Sequence, residues 1–232
     1  MTIKTQPKII CIGWHKTGTT TMGAALLKLG YSVVGARLDL AESLLRGNVS
    51  NSILVAQEYN ALQDVPWMAM YKELDKAYPN SKFILTVRDE DKWLYSAKKH
   101  FGKDYTAMRE WLYGKGVLDG NEALYLDRYR KHYEDVYDYF KDRPDDLLIM
   151  DFKAGDGWEK LCGFLNCAVP QSNFPHSNKG KHNYNFYDKC LAFIRFNTPK
   201  RLRDLRVKLL IYLRGSDYRD KFNNKKYNKN KG

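Results

Sequence analysis

A chain of 232 residues with 44% hydrophobic and 28% charged residues is long enough for one domain with a buried core and too apolar for a disordered segment. Its formal charge of +12 favours an anionic ligand, an anionic polymer or an acidic membrane surface as partner. Four cysteines without C-x-x-C pairing or histidine at zinc spacing exclude a common zinc module and read as reduced core thiols. The N-terminal MTIKTQPK lacks the apolar run of a signal peptide and no segment reads as a membrane span, so a cytoplasmic protein is expected.

In chain order, Lys8 to Ile12 is a mostly apolar run, as in a strand buried on both faces. Gly13 to Thr21, GWHKTGTTT, is a glycine-bearing loop, and Met22, Ala25, Leu26 and Leu29 then share one helix face. Tyr31 to Val34 reads as a second strand, Leu38 to Leu45 as helical, Asn48 to Asn51 as a break, and Ile53 to Leu62 as a further short helix. Asp64-Val-Pro-Trp67 reads as a turn or extended piece. The spacing predicts an amphipathic helix over Met68 to Tyr78, a strand over Lys82 to Val87, and a helix over Lys92 to His100 capped by Asp89 or Glu90. Lys103 to Arg143 reads as two or three tyrosine-rich helices, the longest from Ala123 to Phe140. Leu147 to Met150 is a short buried strand and Trp158 to Leu165 a helix. Val169 to Lys181 is loop, and a last helical region from about Tyr187 is interrupted at Pro199. This alternation predicts an α/β, P-loop-type three-layer fold: a mainly parallel sheet flanked by helices, with a helical insertion and a helical C-terminal region. One domain over 1–215 and a flexible basic tail over 216–232 are expected.

Strand, glycine loop and helix N-terminus together make an anion site, because free backbone N–H groups and the positive end of the helix dipole converge there. Gly13 and Gly18 keep the G-x-x-x-x-G spacing of a nucleotide phosphate loop, and Thr20 stands where a Mg²⁺-binding hydroxyl would be. Thr19, however, occupies the usual lysine position, and the lysine is Lys16 inside the loop. A kinase or ATPase normally keeps that lysine for the β- and γ-phosphates, so this loop suits a different phosphate ester. A second anion feature is Arg88 at a strand end with Ser96 eight residues later on a helix. The two can grip one phosphate together. Pairing of Arg88 with Asp89 or Glu90 is the alternative.

In these two motifs the sequence resembles the sulfotransferases that use 3′-phosphoadenosine 5′-phosphosulfate (PAPS). Their K-[TS]-G-T-T loop is matched by Lys16-Thr17-Gly18-Thr19-Thr20, and their strand-end Arg with a Ser eight residues on by Arg88 and Ser96. Asp64-Val-Pro, Phe83 to Asp89, Trp158-Glu-Lys-Leu-Cys and Phe174-Pro-His-Ser-Asn178 resemble landmarks of a bacterial-type group. The resemblance implies that backbone N–H groups of Thr17, Gly18, Thr19 and Thr20, with hydroxyls of Thr19, Thr20 and Thr21, hold the 5′-phosphate. It implies Lys16 beside the oxygen bridging phosphate and sulfate, Arg88 and Ser96 on the 3′-phosphate, Lys179 and Gly180 covering it, and no required metal. For the base it offers a His or an acidic residue. Asp64 is the first choice, with a helix cap or a turn residue ahead of Met68 to Tyr78 as its competing role; His15 is second and Glu58 third. Trp14 and Trp93 are either adenine-stacking residues or core. The implied reaction moves a sulfuryl group from PAPS to a hydroxyl on a small molecule, lipid or saccharide. Alternatives are a P-loop kinase or NTPase, or a non-catalytic binder of nucleic acid or anionic surfaces through Arg195–Arg206 and Lys221–Lys231, although no nucleic-acid motif appears. The basic C-terminal region could also bring an enzyme to an acidic glycan or a membrane-associated acceptor.

Overall fold

The computed structural model describes residues 7–175. Five short parallel strands form one sheet: β1 (Ile9–Cys11), β2 (Val33–Val34), β3 (Ala61–Leu62), β4 (Lys82–Thr86) and β5 (Leu147–Met150). Their spatial order is β2-β3-β1-β4-β5. Ile9 stands beside Ala61 on one side and Lys82 on the other. Parallel neighbours require crossovers. The α-helices among the described residues are α1 (Thr19–Lys28), α2 (Ala41–Leu45), α3 (Ser50–Gln57), α4 (Tyr71–Ala77), α5 (Glu90–Phe101), α6 (Ala107–Tyr113), α7 (Glu122–Phe140) and α8 (Trp158–Leu165).

Side chains alternate across the sheet along each strand, and the core divides accordingly. Ile10, Leu62, Phe83 and Leu85 join one apolar cluster with residues of α2, α4, α5, α6 and α7. Ile9, Cys11, Ala61 and Ile84 join the other, with Met22 and Leu26 of α1 and Trp158 and Leu161 of α8. This is the three-layer α/β arrangement expected from the sequence. Because both faces are covered, the central strands carry no polar alternation. The chain leaves β1 toward β3 and β2 on one side, then fills β4 and β5 on the other. The point where that direction reverses lies between the C-terminal ends of β1 and β4, where ligands of such sheets bind.

Several local expectations are corrected. Ile53 to Leu62 is not one helix: α3 ends at Gln57, and Ala61–Leu62 is a strand between β1 and β2. Two apolar residues that are not branched at Cβ give no strand signal by themselves; the ladders on both sides impose it. The Asn48–Asn51 break is also shorter than expected, since Asn48 Oδ1 accepts the Ser50 N–H at 3.0 Å and α3 starts there. The Met68–Tyr78 helix opens as a 3-10 turn over Trp67–Met70 before α4. Cys167 is exposed, unlike Cys11 and Cys162, and so is not a core thiol. His176, Lys179, Gly180, Cys190, the C-terminal helical region and the basic tail lie outside the described residues. No helix among the described residues is long and apolar enough to cross a membrane.

Candidate active site

The loop after β1 is shaped by two close approaches. A Cβ on Gly13 would stand 1.8 Å from Thr86 Oγ1, so only glycine lets the loop leave β1 alongside the end of β4. Gly18 adopts φ +112°, and a Cβ there would lie 2.5 Å from the ring of Phe152. Phe152 follows β5 and roofs the loop from the next strand over. Between the two glycines Thr17 closes the frame: its N–H donates to Trp14 O at 3.2 Å, and its hydroxyl donates to the same oxygen and pairs with Thr86 Oγ1, both at 2.6 Å. The amide and hydroxyl of Thr17 are therefore taken up inside the loop, which corrects the expectation that Thr17 faces the ligand. The first bond of the α1 ladder runs from Met22 N–H to Gly18 C=O, so the amides from Gly18 to Thr21 precede the ladder. Thr20 is exposed beside them and Thr21 is buried.

Lys16 is half-buried and left-handed at φ +68°. A left-handed non-glycine residue costs roughly 1–2 kcal/mol. Arg88, just after β4, donates from Nη1 to the Lys16 carbonyl at 2.8 Å and so ties the two sides of the crevice together. Arg88 Nε is buried and has no partner among the described residues, leaving one N–H of the guanidinium unsatisfied next to the loop. Together with the free amides of α1, that donor set fits an anionic phosphate ester. Ser96 stands half-buried on α5, the helix that Arg88 leads into.

Asp64 follows β3 and is the second left-handed non-glycine residue of the site, at φ +70°. Its carboxylate accepts the Val65 N–H at 2.8 Å and the Thr19 hydroxyl at 3.0 Å. Neither the 3-10 turn at Trp67 nor α4 has a side-chain cap, so the capping role open to Asp64 is set aside. The Thr19 hydroxyl is bonded to Asp64, where the resemblance implied a contact to the 5′-phosphate. Burial pushes the Asp64 carboxyl up from its ordinary value, against the opposing pull of its hydrogen bonds and of Lys16. Burial pulls the Lys16 ammonium down; Asp64 opposes this and Arg88 adds to it. Ammonium and carboxyl thus act on one another across the mouth of the loop.

His15 sits differently. It is buried between Trp93, whose ring lies parallel at 6.3 Å, and Phe101 and Tyr113. Its Nε2 meets the Tyr113 hydroxyl, which also accepts Trp14 Nε1–H at 2.7 Å. Burial first, then the charge of Lys16, holds the imidazole well below its usual range. Trp14 and Trp93 are both fully buried, and Trp93 Nε1 donates to His15 O at 2.9 Å. They are core residues that hold the loop, not exposed stacking platforms. Glu58 C-caps α3 and is exposed.

The sequence reading missed Thr86, Phe152, Tyr113 and Tyr133, all of which shape the loop. Tyr133 donates to Thr86 O at 2.9 Å and accepts the Trp14 N–H at 3.4 Å. Thr86 and Phe152 lie at or just beyond strand C-termini, the one signal that would have found them.

A model of the sulfotransferase domain family matches residues 8–115 and 101–183. A relative from Aspergillus versicolor, "Ava biosynthesis cluster protein M", is 25% identical over 214 residues, covering 73% of this chain and 80% of the relative.

Proposed function

The chain belongs to the sulfotransferase domain family, and from that premise we propose that it transfers a sulfuryl group from PAPS to an acceptor hydroxyl, releasing adenosine 3′,5′-bisphosphate. One observation carries the reading. Lys16 is held left-handed beside the free amides of α1, with Asp64, also left-handed, bonded to Thr19 of the same helix start. An acid and a base are thereby fixed on two sides of one anion cradle.

In this reading the amides from Gly18 to Thr21 and the exposed Thr20 hydroxyl hold the 5′-phosphate of the donor substrate. The Lys16 ammonium lies against the oxygen that gains negative charge as its bond to sulfur breaks, and it stabilises that charge in the transition state. Asp64, its carboxyl made more basic by burial, takes the acceptor proton. Arg88, through its unsatisfied Nε–H, and Ser96 bind the 3′-phosphate, the group that separates this donor from ATP. His15 supports the loop from within the core and is the weaker candidate base, because its one described ring partner is the Tyr113 hydroxyl.

The test is calorimetry with adenosine 3′,5′-bisphosphate, AMP, and ATP with and without Mg²⁺, followed by an acceptor screen with labelled PAPS. The bisphosphate should bind well above AMP, and Arg88→Ala should abolish that preference. Equal binding of bisphosphate and ATP, or binding of ATP only with Mg²⁺, overturns the proposal.

A further inference from the structure

The C-terminal end of α8 carries two thiols that sulfuryl transfer does not use. Asn166 ends the helix in the left-handed conformation, at φ 50° and ψ 53°. Its N–H donates to Gly163 O at 3.4 Å, and the next N–H, that of Cys167, reaches back to Cys162 O at 3.0 Å. This pair of bonds defines a Schellman cap, in which the fourth-last residue of α8 and the second residue beyond it bring their side chains into contact. That contact is usually apolar. Here both positions are cysteine.

The cap also sets the distance. A hydrogen bond from residue i+5 back to residue i brings the two Cα atoms to about one helical pitch, ~5.4 Å. That falls inside the roughly 4.4–6.8 Å span of a disulfide. The Cys162 and Cys167 sulfurs lie close enough to act on one another electrostatically, and both act on the Tyr31 hydroxyl. Accessibility is unequal: Cys162 is 1% exposed, whereas Cys167 is open to solvent. An exposed sulfur that an oxidant can reach thus stands against a buried one that can resolve it.

We propose that Cys162 and Cys167 form an oxidisable dithiol that closes to an intrahelix-cap disulfide under a peroxide oxidant. The Cys167 thiolate attacks one peroxide oxygen. The O–O bond breaks, a sulfenic acid forms and the other oxygen leaves as water after taking a proton. The Cys162 sulfur then attacks the sulfenic sulfur, its proton goes to the departing hydroxide, and a second water leaves as the S–S bond forms. Two thiols and one hydrogen peroxide give one disulfide and two waters; the sulfurs are oxidised and the peroxide oxygens reduced. Cys162 is the slower thiol to start the reaction, because burial pushes it up to about 11. The lock falls on the layer that carries the loop helix, since Cys162 packs in one cluster with Met22, Ala25 and Leu26 of α1.

The experiment uses the full reduced chain, treated with hydrogen peroxide near one equivalent, denatured, alkylated and cut with trypsin. Cleavage after Lys160 and Lys179 puts Cys162 and Cys167 in one peptide that contains no other cysteine. The expected result is that peptide lighter by two hydrogens and without alkyl label. In Cys162→Ser the oxidation should stop at a Cys167 sulfenic acid that dimedone traps. Cys162 left alkylatable while Cys167 becomes sulfinic acid, or Cys167 joined to Cys190 or to a second chain, overturns the proposal. The mass map of the unsubstituted chain decides the matter even if the variant fails to fold.

Discussion

Substituting Gly18→Ala tests whether the loop is held as described. At φ +112° an L-residue is strained, at roughly 1–3 kcal/mol. The new methyl would also lie 2.5 and 2.6 Å from Cε2 and Cδ2 of Phe152, well inside contact distance. Relieving that overlap by moving the ring or the loop adds about 1–3 kcal/mol. The sum centres near 4 kcal/mol, and at about 2–4 °C per kcal/mol for a domain of this size the melting temperature should fall by roughly 8–16 °C. The backbone part and the ring part separate in a double-mutant cycle. Phe152→Ala removes the ring, so Gly18→Ala made on that background should cost only the backbone part. The coupling energy should therefore be about 1–3 kcal/mol in the direction of rescue. Urea unfolding of the four proteins measures it, and calorimetry with adenosine 3′,5′-bisphosphate should show weaker binding in both Gly18→Ala chains, whose amides have been displaced. Additivity within about 0.5 kcal/mol would refute the roofing of Gly18 by Phe152.

Lys16→Ala should reduce kcat by about 100- to 1000-fold while changing bisphosphate affinity less than tenfold, measured by steady-state kinetics beside calorimetry; equal losses in both would mean ordinary binding rather than transition-state stabilisation. The kcat/KM profile against pH, which reports groups of the free enzyme, should be a bell with its limbs drawn together. Activity rises as Asp64 ionises, above the ordinary carboxylate range because its carboxyl is pushed up, and falls as Lys16 loses its proton, below the ordinary lysine range because its ammonium is pulled down. Asp64→Asn should abolish the acidic limb and most of the rate; a variant that keeps both eliminates Asp64 as the base. Tyr113→Phe removes the hydroxyl between Trp14 and His15, leaving buried polar groups unpaired. Thermal unfolding should register a loss of about 1–3 kcal/mol, with no change in the acidic limb.

The layers of the fold were legible because burial on both sheet faces writes itself into Lys8 to Ile12 and Lys82 to Val87 as uninterrupted apolar runs. β3 was not. Ala61 and Leu62 carry no strand preference and take their conformation from two ladders whose partners are 52 residues away for Ala61 and Ile9. The glycine loop was legible down to the position of Lys16, since spacing and residue type encode a turn that ends in free helix amides. What spacing does not encode is which donors face inward: Thr17 and the Thr19 hydroxyl look like ligand groups in sequence, yet one closes the loop and the other bonds Asp64. Asp64 was identified through the motif it resembles, but its left-handed backbone and its lack of a capping role are properties of tertiary structure alone.

The tyrosines of α7 explain how the crevice beside strained Lys16 is braced. Beyond their last ladder bonds, the carbonyls at the strand ends need donors, and a site that is to stay partly dry cannot leave them all to water. α7 supplies several. Tyr133 donates to Thr86 O at 2.9 Å, Tyr129 to Arg88 O at 2.5 Å, and His132 Nε2 to Ile12 O at 2.7 Å. These acceptors sit at the ends of β4 and β1, the two strands that flank the crevice. Burial holds the His132 ring to about 4, so it stays neutral and keeps its donor there at physiological pH. One helix face thus pins both lips of the site by hydrogen bonds, while Trp93 and Tyr113 fix residues 14 and 15 from α5 and α6. Strain of roughly 1–2 kcal/mol at each of Lys16 and Asp64 survives only where the surroundings over-determine the backbone. The tyrosine-rich middle of the chain therefore braces the ends of β1 and β4 and, through Arg88, the Lys16 backbone, and its aromatic content reflects donors aimed at named carbonyls as much as apolar area.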